Sequence, residues 1–350
     1  MIVLLEKNAP PGADRGILEL AARLGIPGRG LTGSWGRQAV ELDDPVPARH
    51  LRTLRAAPHV EEILAKPSAH PHAELSGDEG VRPVQVGKLE IGGTELVLAA
   101  GPCAVESEEQ VEAAALAAAR AGARILRGGA FKPRTRPGDF QGMGIPALRW
   151  LRAAADRNDL YVVTEALDPA SCEEVAEYAD IVQIGARTMQ ATSLLKAAAR
   201  TGRPVLLKRG LSATLDEWLG AAEYLLDGGA PGVILCERGS RTFETATRFG
   251  LDVGVLAAAR LRTHLPIFAD PSHPAGRRAL VLPLARASLA AGADGLLVEA
   301  HPDPSCARCD GPQALLLDDL SALAEDMAAI GGAVGRSFIG TRATRAAAGA

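Results

Sequence analysis

The sequence predicts a (β/α)₈ barrel preceded by a small α+β domain of ferredoxin-like order. Three observations carry this. From about Leu96 onward eight short β-branched apolar runs follow one another, each run is followed by a polar or charged loop, and each loop leads into an Ala/Leu-rich helical stretch. The cadence fills roughly 250 residues, the usual length of such a barrel. Near-continuous apolar runs, in place of in/out alternation, are what strands buried on both faces of a parallel sheet look like.

In chain order, residues 1–66 read as strand Ile2–Leu5, helix Asp14–Leu24, strand Gly30–Trp35, strand Ala39–Leu42, helix Pro47–Ala56 and strand Val60–Leu64, the βαββαβ order. Gly30 to Gly36 spells G-x-x-G-x-x-G, but no strand-to-helix transition with a downstream acid comes after it, which argues against dinucleotide binding. Residues 67–95 are expected to form a linker and a hairpin leading into the barrel: Lys66–Val81 is rich in His, Pro, Gly and acids, and Val84–Ile91 precedes Gly92-Gly93. The barrel is assigned to residues 96–335 and a tail to 336–350. Its strands are expected at Leu96–Ala100, Arg124–Leu126, Tyr161–Thr164, Ile181–Ile184, Pro204–Leu207, Gly232–Leu235, Pro266–Ala269 and Gly295–Val298. Helix starts sit between them: Ser107 with Gln110 and Thr214 with Glu217 read as capping boxes, and Asp168-Pro169 as an N-cap and first helical residue. Gly122 and Gly228-Gly229 can close helices.

Composition narrows the function classes. Lys plus Arg total 38 against 42 Asp plus Glu, a formal charge of −4, so no basic excess is available for a nucleic-acid backbone. Aromatic residues are only 3%, too few for base-stacking platforms. The first five residues are too short an apolar run for a signal peptide and no later run could span a bilayer, so a cytoplasmic protein without membrane partners is expected. Five cysteines, an odd count, do not suggest a disulfide framework.

A barrel of this kind builds its active site at the C-terminal ends of the strands. The residues just after the apolar runs fall into two groups. Arg127, Lys132, Arg187, Lys208 and Arg238 would crowd one mouth and repel unless anions lie between them, which implies a multiply anionic substrate; each alone could equally be the ion-pair partner of a neighbouring acid. Cys103, His273, Glu299 and Asp310 form a mixed S/N/O set, borderline in softness, that would take Mn, Fe, Co or Zn. From spacing alone, a buried thiol and a core histidine explain Cys103 and His273 as well. Glu165 and Glu237, among the cations, read as charge balance or proton relays. Cys306 and Cys309 form a lone C-x-x-C and are taken as incidental loop cysteines in preference to a redox switch beside Asp310, Cys172 and Cys236 as structural.

Nine segments in order, Gly101-Pro-Cys-Ala-Val-Glu-Ser, Leu126-Arg-Gly-Gly-Ala-Phe-Lys-Pro-Arg-Thr135, Phe140-Gln-Gly, Gln183-Ile-Gly-Ala-Arg187, Leu207-Lys-Arg-Gly210, Cys236-Glu-Arg-Gly239, Asp270-Pro-Ser-His273, Val298-Glu-Ala-His-Pro302 and Asp310-Gly-Pro-Gln313, together resemble 3-deoxy-D-arabino-heptulosonate 7-phosphate (DAHP) synthases. The front domain makes the chain similar to the type I beta branch. By position, the resemblance implies metal ligands at Cys103, His273, Glu299 and Asp310. It implies a phosphoenolpyruvate clamp of Arg127, Lys132, Arg187, Lys208 and Arg238, with Lys132, Cys103 and His273 at the reacting centre. Arg134 and Thr135 would hold the phosphate of erythrose 4-phosphate. It further implies condensation of these two substrates in the shikimate pathway, feedback control through the front domain by an aromatic amino acid effector, and a homo-oligomer, commonly a tetramer.

Some residues depart from that pattern: Arg136-Pro-Gly-Asp139 stands where Ser-Pro-Tyr-Ser is frequent, Thr188 where Asn is, and Ala275 where Thr is. These bear on the sugar-phosphate loop and remove no ligand. Rival readings are a 3-deoxy-D-manno-octulosonate 8-phosphate synthase using arabinose 5-phosphate, which would carry an Ala-Asn-Arg-Ser type segment in place of Pro133-Arg134-Thr135; a Schiff-base aldolase with Lys208 as its amine; and a non-catalytic effector-binding barrel.

Overall fold

A computed structural model of the chain describes residues 1–31, 37–43, 46–64, 68–75, 80–134 and 136–338. Two compact units divide it, Met1–Gly80 and Val81–Ala350.

In the first unit, strands Ile2–Leu5, Gly28–Leu31, Ala39–Leu42 and Val60–Leu64 and helices Ala13–Arg23 and Ala48–Arg55 succeed one another as βαββαβ. Ile2–Leu5 lies between Ala39–Leu42 and Val60–Leu64 and runs antiparallel to both, while Gly28–Leu31 pairs with the outer side of Ala39–Leu42. Alternation sets the core: Val3 and Leu5, Val40 and Leu42 turn one sheet face onto Ile17, Ala21 and Leu54 of the helices. The second strand begins at Gly28, earlier than expected, and residues 32–35 of the expected Gly30–Trp35 lie outside the described residues, as do 66–67 and 76–79 of the linker.

The second unit opens with a hairpin, Val84–Val86 against Leu89–Ile91, turned at Gly87 and Lys88. Eight parallel strands come next: Val97–Gly101, Ile125–Arg127, Tyr161–Ala166, Ile181–Ile184, Val205–Lys208, Val233–Glu237, Ile267–Ala269 and Gly295–His301. Each pairs with the next, and the eighth pairs with the first, so the sheet closes. Every expected run is a strand: Ile181–Ile184 keeps its expected bounds and the others differ by one to three residues at an end. A two-residue strand, Leu315–Leu316, pairs in parallel with Ala300 and His301 at the C-terminal end of the eighth strand.

One apolar residue from each barrel strand, Val97, Ile125, Val163, Ile181, Leu206, Ile234, Phe268 and Leu297, packs with Val84, Val86, Leu89 and Ile91 of the hairpin. The hairpin is therefore a plug for the barrel floor, and it leaves the C-terminal rim to polar side chains. Helix starts obey local chemistry. Asp168 and Thr214 each form reciprocal capping boxes with the third helical residue, Ser171 and Glu217. The Ser107 box is only half made: Ser107 accepts from Gln110 N, but the Gln110 side chain accepts from Glu106 N at 3.1 Å and donates to Ala104 O at 3.0 Å. A glutamine amide can both donate and accept, so it bridges the preceding loop where a glutamate would have closed the box.

After the last helix, Asp319–Ala333, Ser337 accepts from Leu96 N and donates to Thr94 O, so residues 336–338 pack beside the first strand. Residues 339–350 of the expected tail lie outside the described residues. No described helix is long and apolar enough to cross a membrane.

Candidate active site

The first strand ends at Gly101, where a Cβ would sit 2.1 Å from the Arg127 carbonyl oxygen. Only glycine permits that approach, and the chain then turns through Pro102 to set Cys103 inside the rim. The seventh strand runs into a short turn of helix, Ser272–Ala275, which carries His273 inward. Glu299 is in the eighth strand itself, and Asp310 arrives on the next loop in a left-handed conformation, φ 54°. One ligand atom from each of Cys103, His273, Glu299 and Asp310 lies within 4.8 Å of all the others. Residues separated by more than 200 positions meet because the sheet closes on itself.

The geometry orients each donor. His273 Nδ1 donates to Asp270 Oδ2 at 2.6 Å, since a carboxylate can only accept, so Nε2 faces the centre. Nε2 lies 3.4 Å from Glu299 Oε1 and 3.8 Å from Asp310 Oδ2. Cys103 Sγ is 3.5 Å from Asp310 Oδ2. A thiol, an imidazole and two carboxylates packed this closely fit a divalent ion, whose charge would offset their mutual repulsion. Burial and neighbouring charges act on how these groups titrate. Burial and the Cys103 charge push Glu299 up to about 7. Burial pushes Asp310 up too, but His273, Arg248 and Lys132 outweigh it and hold Asp310 at about 2. A hydrogen bond to Cys309 and burial hold the Cys103 thiol well above its ordinary value, against the pull of Lys132.

Beside this centre, and sharing His273 and Asp310 with it, is a cavity. Its lining carries six cationic side chains, Lys132, Arg134, Arg187, Lys208, Arg238 and Arg248, against two carboxylates, Glu165 and Asp310. Among the described residues no carboxylate pairs with Arg187 or Arg238. Burial pushes the Arg238 guanidinium down, and the neighbouring Arg248 and Arg187 charges add to that against Asp270. A cavity whose cations repel one another suits an anion with several charges. Lys132 Nζ donates to Cys103 O at 3.1 Å and Sγ at 3.2 Å, and although burial opposes it, the charges of Cys103, Cys309 and Glu165 hold the ammonium above its ordinary value.

Other expected residues are placed differently. Arg127 does not line the cavity; it donates to Pro102 O at 2.8 Å and Glu299 Oε1 at 3.2 Å, with its Nε buried and unpartnered. Lys208 Nζ is paired with Asp270 Oδ2 at 2.7 Å, so its nitrogen is engaged by a carboxylate instead of standing open to a carbonyl carbon as a Schiff-base amine must. Glu165 lines the cavity and accepts from Gln183, whereas Glu237 is fully buried against Arg209 at 3.0 Å and Gly239 N at 2.8 Å, away from the cavity. Thr135 lies outside the described residues. Arg134 donates to Cys309 Sγ at 2.8 Å and lies 3.5 Å from Asp139.

Cys309 corrects the reading of an incidental loop cysteine. Its Sγ is buried 3.4 Å from Cys103 Sγ, while Cys306 stays exposed, so the C-x-x-C is split between the site and solvent. The loop turns the two side chains apart, and spacing in sequence carries no sign of that. Three residues escaped the sequence reading of roles: Asp270, Arg248 and Gln313. The Asp-x-x-His spacing of Asp270 and His273, on one turn, was an available signal for the first. Arg248 lies far along the loop after the sixth strand and gave none.

Comparison with known proteins returns one family, with relatives that carry two aldolase names. A sequence profile of the DAHP synthetase I family matches residues 77–333. A phospho-2-dehydro-3-deoxyheptonate aldolase of Thermotoga maritima is 48% identical over 252 residues, 72% of this chain and 75% of that protein. A 2-dehydro-3-deoxyphosphooctonate aldolase of Nitratidesulfovibrio vulgaris is 35% identical over 253 residues, 66% of this chain and 90% of that one. The crystal structure of a Thermotoga maritima phospho-2-dehydro-3-deoxyheptonate aldolase (DAHP synthase) superposes with a TM-score of 0.76 at 38% identity, covering 96% of this chain and 98% of that one. The barrel, the four-donor centre and the profile over most of the chain agree, and the protein belongs to the DAHP synthetase I family.

Proposed function

We propose that the chain condenses phosphoenolpyruvate with erythrose 4-phosphate and water to give 3-deoxy-D-arabino-heptulosonate 7-phosphate and inorganic phosphate, with a divalent ion (manganese, iron, cobalt or zinc) held by Cys103, His273, Glu299 and Asp310. The observation that carries this reading is a four-donor centre sharing His273 and Asp310 with a cavity of six cations and two carboxylates. Two phosphorylated substrates, one of them also a carboxylate, supply the negative charge such a cavity calls for.

C3 of phosphoenolpyruvate attacks the aldehyde carbon of the sugar, water adds at C2, and the C2–O bond to phosphate breaks. When bound, the ion supplies Lewis-acid polarisation of a carbonyl oxygen or of water. Arg187, Lys208 and Arg238 bind the carboxylate and phosphate of phosphoenolpyruvate, orient C3 and stabilise the departing phosphate. Lys132, held charged, stabilises the alkoxide that forms as the aldehyde is attacked. Arg127 acts one step back by fixing Glu299, and Asp270 fixes His273. Arg134 and Thr135 bind the sugar phosphate.

Two features favour the four-carbon sugar: the Pro133-Arg134-Thr135 segment, and greater identity to the heptonate than to the phosphooctonate relative. The test is consumption of phosphoenolpyruvate with erythrose 4-phosphate against arabinose 5-phosphate, before and after EDTA and with Mn²⁺ restored. Turnover with the four-carbon sugar, lost on chelation and regained with Mn²⁺, is expected; turnover only with arabinose 5-phosphate, or indifference to EDTA, would overturn the reading.

A further inference from the structure

Each carboxylate of the four-donor centre has one oxygen facing the other ligands and one held from outside. Asp310 Oδ2 faces Cys103 and His273, while Oδ1 accepts from Arg248 Nη1 at 3.0 Å. Glu299 Oε1 faces His273 and also accepts from Arg127 Nη1 at 3.2 Å, while Oε2 accepts from Gln313 Nε2 at 2.6 Å. The two holders are themselves joined: Arg248 Nη1 donates its second hydrogen to Gln313 Oε1 at 3.0 Å. One guanidinium nitrogen thus restrains both carboxylates, directly for Asp310 and through a glutamine only 2% exposed for Glu299.

Arg248 is delivered to this position by a stapled loop. Ser240 and Gly250 exchange backbone hydrogen bonds at the loop's base, and Phe249 N donates to Pro274 O in the turn that carries His273. That turn ends at Gly276, φ 63°, where a Cβ would stand 2.7 Å from Arg248 Cβ. The loop and the His273 turn therefore lie in direct contact, and the contact requires glycine.

We propose that Arg248 and Gln313 are positioning residues that act as one clamp, presenting a single oxygen of Asp310 and of Glu299 to the ion. A carboxylate with both oxygens open can chelate through both, the mode of large, high-coordination ions. Single-oxygen presentation favours low coordination with a position left for substrate. The inference rests on the metal reading above.

The test measures Mn²⁺ affinity by electron paramagnetic resonance of the free ion, and the visible spectrum of the Co²⁺-loaded full chain. Variants are Arg248→Met, Gln313→Leu, the double variant, Arg248→Lys as the conservative change, and Arg286→Met as a surface control. Each single variant is expected to bind Mn²⁺ about 10–100-fold more weakly, the range for groups that orient metal ligands. The Co²⁺ bands should shift, Arg248→Lys should recover part of the affinity, the control should match the parent, and the double variant should lose less than the product of the singles. Unchanged affinity and spectrum in Arg248→Met overturn the clamp, even if Gln313→Leu fails to fold. Losses that multiply independently overturn its action as one unit. A parent chain that takes up neither ion overturns the metal reading and the clamp together.

Discussion

Cys103 couples the two halves of the site: its sulfur belongs to the four-donor centre, and its sulfur and carbonyl both accept from Lys132 at the cavity wall. Cys103→Ser keeps the volume but replaces a soft thiolate with a weak hydroxyl donor. It should weaken Zn²⁺ or Mn²⁺ binding beyond the about 100-fold upper range seen for outer groups. Equilibrium dialysis checks this, and unchanged affinity would remove Cys103 from the ligand set. Asp139, one of the departures in the sugar-phosphate loop, lies 3.5 Å from Arg134 and competes for it. A partly exposed pair of this kind is worth about 0.2–1 kcal/mol. Asp139→Asn should accordingly lower KM for erythrose 4-phosphate by up to about fivefold with kcat little changed. Steady-state kinetics with the sugar varied decides it. At this scale the sequence indicated residue types well and partners poorly. Lys208 was legible as a strand-end cation, but its bond to Asp270, and through it to His273, joins the fifth strand to the seventh across the sixth, which no local pattern shows.

The short turn bearing His273 shows how an element positions a side chain. Asp270 Oδ1 accepts from His273 N at 3.1 Å while Oδ2 holds the ring, so one carboxylate sets both the backbone start and the rotamer. Gly276 ends the turn in the left-handed region, which costs a residue with a Cβ roughly 1–2 kcal/mol. Gly276→Ala adds a clash with Arg248, so denaturant unfolding should show a loss of at least about 1–2 kcal/mol, accompanied by weaker Mn²⁺ binding. A loss of stability without any change in metal binding would separate the turn from the site. Element types were readable because their causes are local: β-branched runs, Thr214 with Glu217, Asp168 with Pro169. Most ends slipped by one to three residues because the final hydrogen bonds are supplied by the neighbouring strand.

For the whole chain, the front unit has its own sheet and its own core of Val3, Leu5, Ile17, Val40 and Leu54. The resemblance to DAHP synthases implies regulation by an aromatic amino acid through this unit, and its separate core lets deletion test that expectation. Deleting residues 1–66 should leave phosphoenolpyruvate consumption in place and abolish any inhibition by phenylalanine, tyrosine or tryptophan. Inhibition that survives the deletion would place the effector site elsewhere.

The sequence by itself determined the run of elements, the barrel class and the kinds of side chain at the rim, because periodicity, capping chemistry and strand-end polarity are all properties of neighbouring residues. Only the tertiary structure decided which of those side chains meet. Closure of the eighth strand on the first brings Glu299 and Asp310 to Cys103. Loop paths then turn Cys309 inward, set Arg127 beside Glu299 instead of the cavity, and bring Arg248 onto Asp310. The physical reason is that hydrogen bonds and charge pairs act over a few ångströms of space, and a closed sheet makes neighbours of residues that the chain holds far apart.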